Sequence, residues 1–251
     1  MQTKMYTAPL GGKVVVIASL PRTGTHFVID FMRKNFVTLD VSLPVWRSSE
    51  RLYINLDRLV NGGSWIMSSA TRSSFLVKTH ELPFSHEGQT LLKDLVRSRK
   101  VHIFTPVRPY KSFIESYSRY LNYSTGRSVS FKGEDPYYRD GRTTKQIVED
   151  FLNWCEIHST FIDVEKAVRS PEDLANQIGE MIEETPRDIE RRLPDRRQSN
   201  GRLDEILIRL KGRESSEVIM PKSADLFIPH LPTDLEKRIE SVRQNALPYS
   251  N

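Results

Sequence analysis

Short β-branched apolar runs alternate along this chain with longer stretches whose apolar residues return every three or four positions. The runs are too short for helix cores and suit strands buried on both faces. They predict strands near 13–19, 74–79, 101–107 and 161–165. The longer stretches predict helices near 24–36, 50–61, 88–98, 109–122, 143–159, 171–184 and 232–246. In the first of these, Phe27, Phe31, Met32 and Phe36 recur at helical spacing. Strands that alternate with helices imply parallel pairing and right-handed crossovers. The expected fold is therefore α/β: a central parallel sheet flanked by helices, opening on a P-loop-like strand, loop and helix. Loops that leave parallel neighbours emerge on one sheet edge, so whatever chemistry they carry converges there.

Polar chemistry does gather where the predicted strands end. The run Val14–Ala18 meets Ser19-Leu20-Pro21-Arg22-Thr23-Gly24-Thr25-His26. Gly24 allows close backbone approach, Thr23 and Thr25 offer hydroxyls, and the N–H groups of a helix start can cradle a dianion. Arg22 adds a forked cation. A Walker A loop needs G-x-x-x-x-G-K-[ST], whereas here no glycine stands five residues before Gly24, no lysine follows it, and the cation precedes the glycine. G-x-G-x-x-G is also absent. These departures disfavour a nucleoside-triphosphatase and a dinucleotide fold. The second predicted strand delivers Lys78 and His80 at its carboxyl end, the edge where open α/β sheets bind ligands. The third ends on Arg108, and Pro109 then stands at the expected first helical position, where its missing N–H costs nothing. Ser116 follows Arg108 by about two helical turns, with Ser112 one turn nearer.

The order Pro21-Arg22-Thr23-Gly24-Thr25 resembles the 5′-phosphosulfate loop of sulfotransferases, usually Pro-Lys/Arg-Ser/Thr-Gly-Thr-Thr. Lys78-Thr79-His80-Glu81-Leu82-Pro83 is similar to the Lys-Thr-His-Leu-Pro of the cytosolic-type members, with Glu81 as one inserted residue. Arg108 and Ser116 resemble the strand-end Arg and the Ser eight residues on that hold the 3′-phosphate in that family. A looser likeness covers Phe161–Glu165 and Ser170–Leu174, the late strand and helix of the family core. Two positions depart from the pattern. Val164 stands where relatives often carry a Tyr that stacks on adenine, and the usual Arg-Lys-Gly is blurred into Arg209-Leu210-Lys211-Gly212-Arg213. The resemblance implies 3′-phosphoadenosine 5′-phosphosulfate as donor, no metal, and transfer of a sulfuryl group to an acceptor hydroxyl or amine. It further implies His80 as the base, with Glu81 as the alternative, and Lys78 and Arg22 as catalytic cations. Donor contacts fall to Arg22, Thr23, Gly24, Thr25 and His26 at the 5′-phosphate, to Arg108 and Ser116 at the 3′-phosphate, and to Lys211, Gly212 and Arg213 at the last phosphate contact. His26 replaces the usual Thr, which leaves its backbone N–H as the expected contact. Arg22 replaces the commoner Lys and does not readily donate a proton to a leaving group.

Composition narrows the remaining classes. With 251 residues and 38% hydrophobic content, one α/β domain over residues 1–251 is the expected size class. We expect its core over about 13–185, an Arg-rich flexible segment over about 186–202, and a C-terminal segment over 203–251. Cys155 is the lone cysteine, which excludes a disulfide framework, and with six scattered histidines it builds no zinc site. Beside Trp154 in a helical pattern, it is expected in the core. The apolar runs are far shorter than the roughly 20 residues that span a bilayer. Met1–Gly12 carries no basic-then-apolar leader pattern, so a cytoplasmic location is expected, unlike the membrane-anchored Golgi branch of the family. A net charge of +5 suits an anionic ligand without demanding nucleic acid. The arginines of 187–202 are read either as a solvated connection or as a basic flap over donor phosphates. The loop 125–144, with Tyr137, Tyr138, Arg139 and Arg142, is expected at the mouth for a small-molecule or glycan acceptor. Two other classes stay open. A kinase or other phosphotransferase would need a magnesium-binding carboxylate, for which Glu81 is the candidate, and a non-catalytic nucleotide- or polyanion-binding protein would need no base.

Overall fold

The computed structural model describes residues 13–20, 22–36, 39, 75–80, 86–99, 101–116, 144–187 and 233–249. Strands β1 (Val14–Ala18), β2 (Phe75–Thr79), β3 (Val101–Val107) and β4 (Thr160–Asp163) pair in parallel in the order β2-β1-β3-β4. Val16 pairs with Val77 on one side and Ile103 on the other, and Pro106 pairs with Ile162. The helices are α1 (Thr25–Asn35), α2 (His86–Arg97), α3 (residues 110–116), α4 (Thr144–His158), α5 (Val164–Arg169), α6 (Pro171–Ile182) and α7 (Thr233–Gln244). The expected parallel α/β fold is present, and the elements fall close to their predicted bounds. The predicted helix 50–61 and the last residues of 109–122 lie outside the described residues.

Alternation along the strands builds the layers. Val14, Val16 and Ala18 face one core with Ile103, Phe151, Leu152, Trp154, Cys155 and Ile239, which places α3, α4 and α7 on that side. Val15 and Ile17 face the other core with Phe31, Met32, Leu76, Phe104, Leu174 and Ile178, which places α1, α5 and α6 there. A period of two distributes a uniformly apolar strand over two cores, which is why the runs carry no polar face. Cys155 is fully buried in the first core, as expected, and burial pushes its thiol up to about 12.

Two local readings are corrected. Val164 and Glu165, expected on the fourth strand, begin helix α5 instead. Asp163 ends the strand because its carboxylate accepts hydrogen bonds from the Glu165 and Lys166 N–H groups, a cap that starts a helix. Pro109, expected at the first helical position, precedes the helix, and its carbonyl accepts from the Phe113 N–H at 2.9 Å. The C-terminal residues also close the sheet: Leu247 N–H reaches the Phe161 carbonyl and Asp163 N–H reaches the Leu247 carbonyl, each at 2.9 Å.

Strand order positions the site. The chain passes from β1 to β2 on one side, then crosses to β3 on the other. The carboxyl ends of β1 and β3 therefore flank the point where the order reverses, which is where open α/β sheets form a ligand crevice.

Candidate functional site

The loop after β1 is drawn tight by its own side chains. Ser19 N–H extends the β1–β2 ladder by bonding to the Thr79 carbonyl at 3.0 Å. Thr23 Oγ1 donates to the Leu20 carbonyl at 2.8 Å, and Ser19 Oγ meets Thr25 Oγ1 at 2.6 Å. Both threonine hydroxyls thus make contacts that shape the loop. Gly24, the N-cap of α1, has φ +112°, a region that side chains rarely adopt. A Cβ there would also stand 2.6 Å from Val164 Cγ2, so the start of α5 packs directly against the loop. Val164, singled out for replacing an aromatic residue, is therefore a close neighbour of this glycine. Val28 N–H makes the bond to the Gly24 carbonyl that opens the helical ladder. The N–H groups before Val28 in α1 lie ahead of that ladder and face the crevice end of the helix.

Two contacts reach from β2 to this loop and helix. Lys78, 1% exposed, sits in β2 on the face shared with Leu76, and its Nζ lies 3.2 Å from His26 Nε2 on α1. An ammonium only donates, so His26 Nε2 accepts and a neutral His26 ring carries its hydrogen on Nδ1. His26 therefore contributes its ring to the site, whereas only its backbone was expected to serve. His80 Nδ1 lies 2.7 Å from the Ser19 carbonyl and 3.3 Å from Ser19 Oγ. A carbonyl only accepts, so Nδ1 carries the hydrogen, and the neutral ring holds its basic lone pair on Nε2. Ser19 thus links the loop, the start of α1 and His80. Sequence reasoning passed over it because a serine after a strand carries no chemical signature of its own.

A third set joins β1 to β3. Arg22 is exposed, has φ 72°, and its Nε donates to Ser116 Oγ on α3 at 3.2 Å across 94 residues of sequence. Arg108 Nη1 donates to the Arg22 carbonyl at 3.5 Å. Arg22, Ser116 and Arg108 therefore form one group, while Ser112 lies one turn nearer the helix start. Glu81 and Lys211, Gly212 and Arg213 lie outside the described residues, as do most of the Arg-rich segment and the loop 125–144 except its last residue.

Away from this edge, a second polar cluster ties β4, α5 and α7. Arg243 Nε stands 2.9 Å from Asp163 Oδ2 as a charge contact without hydrogen-bond alignment, and the same guanidinium reaches Glu240 and Glu165. Glu240 in turn accepts from the Tyr110 N–H at the start of α3. The sequence pattern places Asp163 within a strand, so neither its cap nor its pairing with Arg243 was anticipated.

Among the described residues, no group of three or more His, Cys, Asp or Glu side chains stands together as a metal site, and no helix is long and apolar enough to cross a membrane. Searches against models of known protein families and against curated protein sequences give no match for this chain.

Proposed function

We propose that this protein is a sulfotransferase that moves a sulfuryl group from 3′-phosphoadenosine 5′-phosphosulfate to a hydroxyl or amine of an acceptor. The observation that carries the reading is the meeting, at one sheet edge, of Arg22 with Ser116 and Arg108, and of Ser19 with His80. Three sequence segments that resemble successive sulfotransferase motifs are thus neighbours around the reversal point of the sheet. The α1 N-terminus and its loop would hold the 5′-phosphate, in the way helix starts hold dianions.

The step is an in-line displacement at sulfur. An acceptor oxygen or nitrogen bonds to sulfur while the bond from sulfur to the 5′-phosphate oxygen breaks, and adenosine 3′,5′-bisphosphate leaves. His80 Nε2 takes the proton that the acceptor gives up. Arg22 and Lys78 supply the positive charge that answers the sulfuryl oxygens and the leaving phosphate, and positioning supplies much of the rest. The acceptor is read as a small molecule or glycan met in the cytoplasm.

Transfer of labelled sulfate from the donor to candidate acceptors, followed by mass spectrometry, tests the reaction. Binding is tested without an acceptor: adenosine 3′,5′-bisphosphate at about a hundredfold its dissociation constant should stabilise the fold by roughly 2.7 kcal/mol. A melting shift with ATP and magnesium and none with the bisphosphate would replace this reading with a phosphotransferase. Binding of the bisphosphate with no transfer to any acceptor would favour a non-catalytic nucleotide-binding protein.

A further inference from the structure

Ser19 is fully buried and meets two groups that the proposed function uses, the base His80 and the first residue of α1. We propose that Ser19 is a positioning residue whose hydroxyl links His80 to Thr25 in a hydrogen-bond chain of one direction, so that the base and the 5′-phosphate seat polarise each other. This rests on the proposed function and adds to it a residue outside the segments that resemble sulfotransferase motifs.

The direction of the chain follows from which atoms can only accept. The Ser19 carbonyl only accepts, so His80 Nδ1 carries a hydrogen and donates it across 2.7 Å. Ser19 Oγ stands 3.3 Å from the same nitrogen and is a second, weaker acceptor of that hydrogen. A hydroxyl that accepts on one side has its own hydrogen for the other, and Thr25 Oγ1 lies there at 2.6 Å. Ser19 therefore donates to Thr25, and the Thr25 hydrogen remains for a further acceptor. Thr25 opens α1, ahead of the ladder bond from Val28 to Gly24, where a bound dianion supplies that acceptor. Three donors then point the same way, from imidazole to serine to threonine to phosphate.

Bonds in such a chain strengthen one another, and this one is kept from water, with Ser19 0% and Thr25 5% exposed. As His80 Nε2 takes the acceptor's proton, the ring gains charge and Nδ1–H becomes a stronger donor. The chain carries that pull to the Thr25 hydroxyl while negative charge grows on the leaving phosphate. No hydrogen changes atoms along it; each stays on its own atom and is polarised. In the reverse direction, a phosphate at Thr25 strengthens the bonds made by His80 Nδ1–H.

The test is NMR of the His80 Nδ1–H at one pH, with and without adenosine 3′,5′-bisphosphate, the signal being identified by its loss in His80→Gln and binding being confirmed by calorimetry. Saturating bisphosphate should move this resonance downfield in wild type and much less in Ser19→Ala, which keeps the carbonyl contact and loses only the hydroxyl. Thr25→Val should lose the response and Thr25→Ser should keep it, and this pair decides if Ser19→Ala does not fold. In labelled sulfate transfer, Ser19→Ala should lower kcat about two- to tenfold, the worth of one neutral hydrogen bond, with bisphosphate affinity within about twofold of wild type. A wild-type resonance that ignores bound bisphosphate, or one that moves equally in Ser19→Ala, would overturn the chain and leave the sulfotransferase reading standing. A wild type that does not bind the bisphosphate would overturn that reading and the chain with it.

Discussion

Two groups of cations in this fold keep different company. At the carboxyl edge of β1, β2 and β3, Lys78 meets an imidazole nitrogen, Arg22 a hydroxyl and Arg108 a backbone carbonyl. Where β4, α5 and α7 join, Arg243 meets the carboxylates of Asp163, Glu165 and Glu240. A neutral acceptor fixes the direction of a cationic side chain, whereas a carboxylate also offsets its charge. Contacts of the first kind orient side chains toward the edge read as the site. Those of the second suit a permanent joint, and Arg243 on α7 ties its helix to the junction of β4 and α5.

The comparison breaks most visibly at His80. Replacing it with Asn should lower turnover of labelled sulfate transfer about 10²–10⁴-fold, with bisphosphate affinity nearly unchanged in calorimetry. Near-normal turnover would move the proton to Glu81 or show that the acceptor arrives deprotonated. On the structural side, Arg243→Ala leaves the Asp163 carboxylate, 1% exposed, without its cation. A loss of about 3 kcal/mol in urea unfolding is expected, and unfolding at the wild-type midpoint would show that this joint is dispensable.

Asp30 on α1 sharpens the contrast from the carboxylate side. Asp163 has two N–H donors and a guanidinium, whereas Asp30 Oδ1 makes no hydrogen bond among the described residues and lies 3.9 Å from Arg33 Nη1. Desolvation by burial raises the Asp30 carboxyl to about 6, against the opposing pull of Arg33, His26 and Lys34. An acid with a raised folded pKa is fully tolerated below its unfolded value. Its stability contribution then falls as pH climbs from 3.8 to about 6 and stays low above that. The span of roughly two pKa units corresponds to up to about 3 kcal/mol. Asp30→Asn, which keeps a neutral side chain at every pH, should match wild type near pH 4 and exceed it by that order at pH 7.5. Equal melting differences at both pH values would show that Asp30 is compensated as Asp163 is.

The smallest expected effect lies at the 3′-phosphate pair. Arg108→Ala should erase about ten- to a hundredfold of the preference for adenosine 3′,5′-bisphosphate over adenosine 5′-monophosphate. Ser116→Ala should erase less, and Ser112→Ala almost none. A dominant effect at Ser112 would move the subsite one helical turn toward Pro109, away from Arg22.

Hydrophobic order alone determined the parallel α/β fold, the approximate bounds of its elements and the edge on which Arg22, His80 and Arg108 would gather. Burial of β-branched runs on both faces leaves a sheet with helices on either side, and parallel pairing sends successive loops out at one end. Candidate chemistry was legible where a residue type is costly or rare at a strand end, as for Lys78, His80 and Arg108. Tertiary structure decided the pairings. Ser19 is an ordinary serine until β1 and β2 align and set its carbonyl against His80, and His26 becomes a side-chain partner only when α1 lies over Lys78. Val164 leaves the strand because Asp163 caps the turn that follows, and the guanidinium beside Asp163 is that of Arg243, from 80 residues later. Periodicity reports which face of an element is buried; it holds no record of which distant side chain completes a hydrogen bond, because that depends on packing geometry between elements and not on spacing within one.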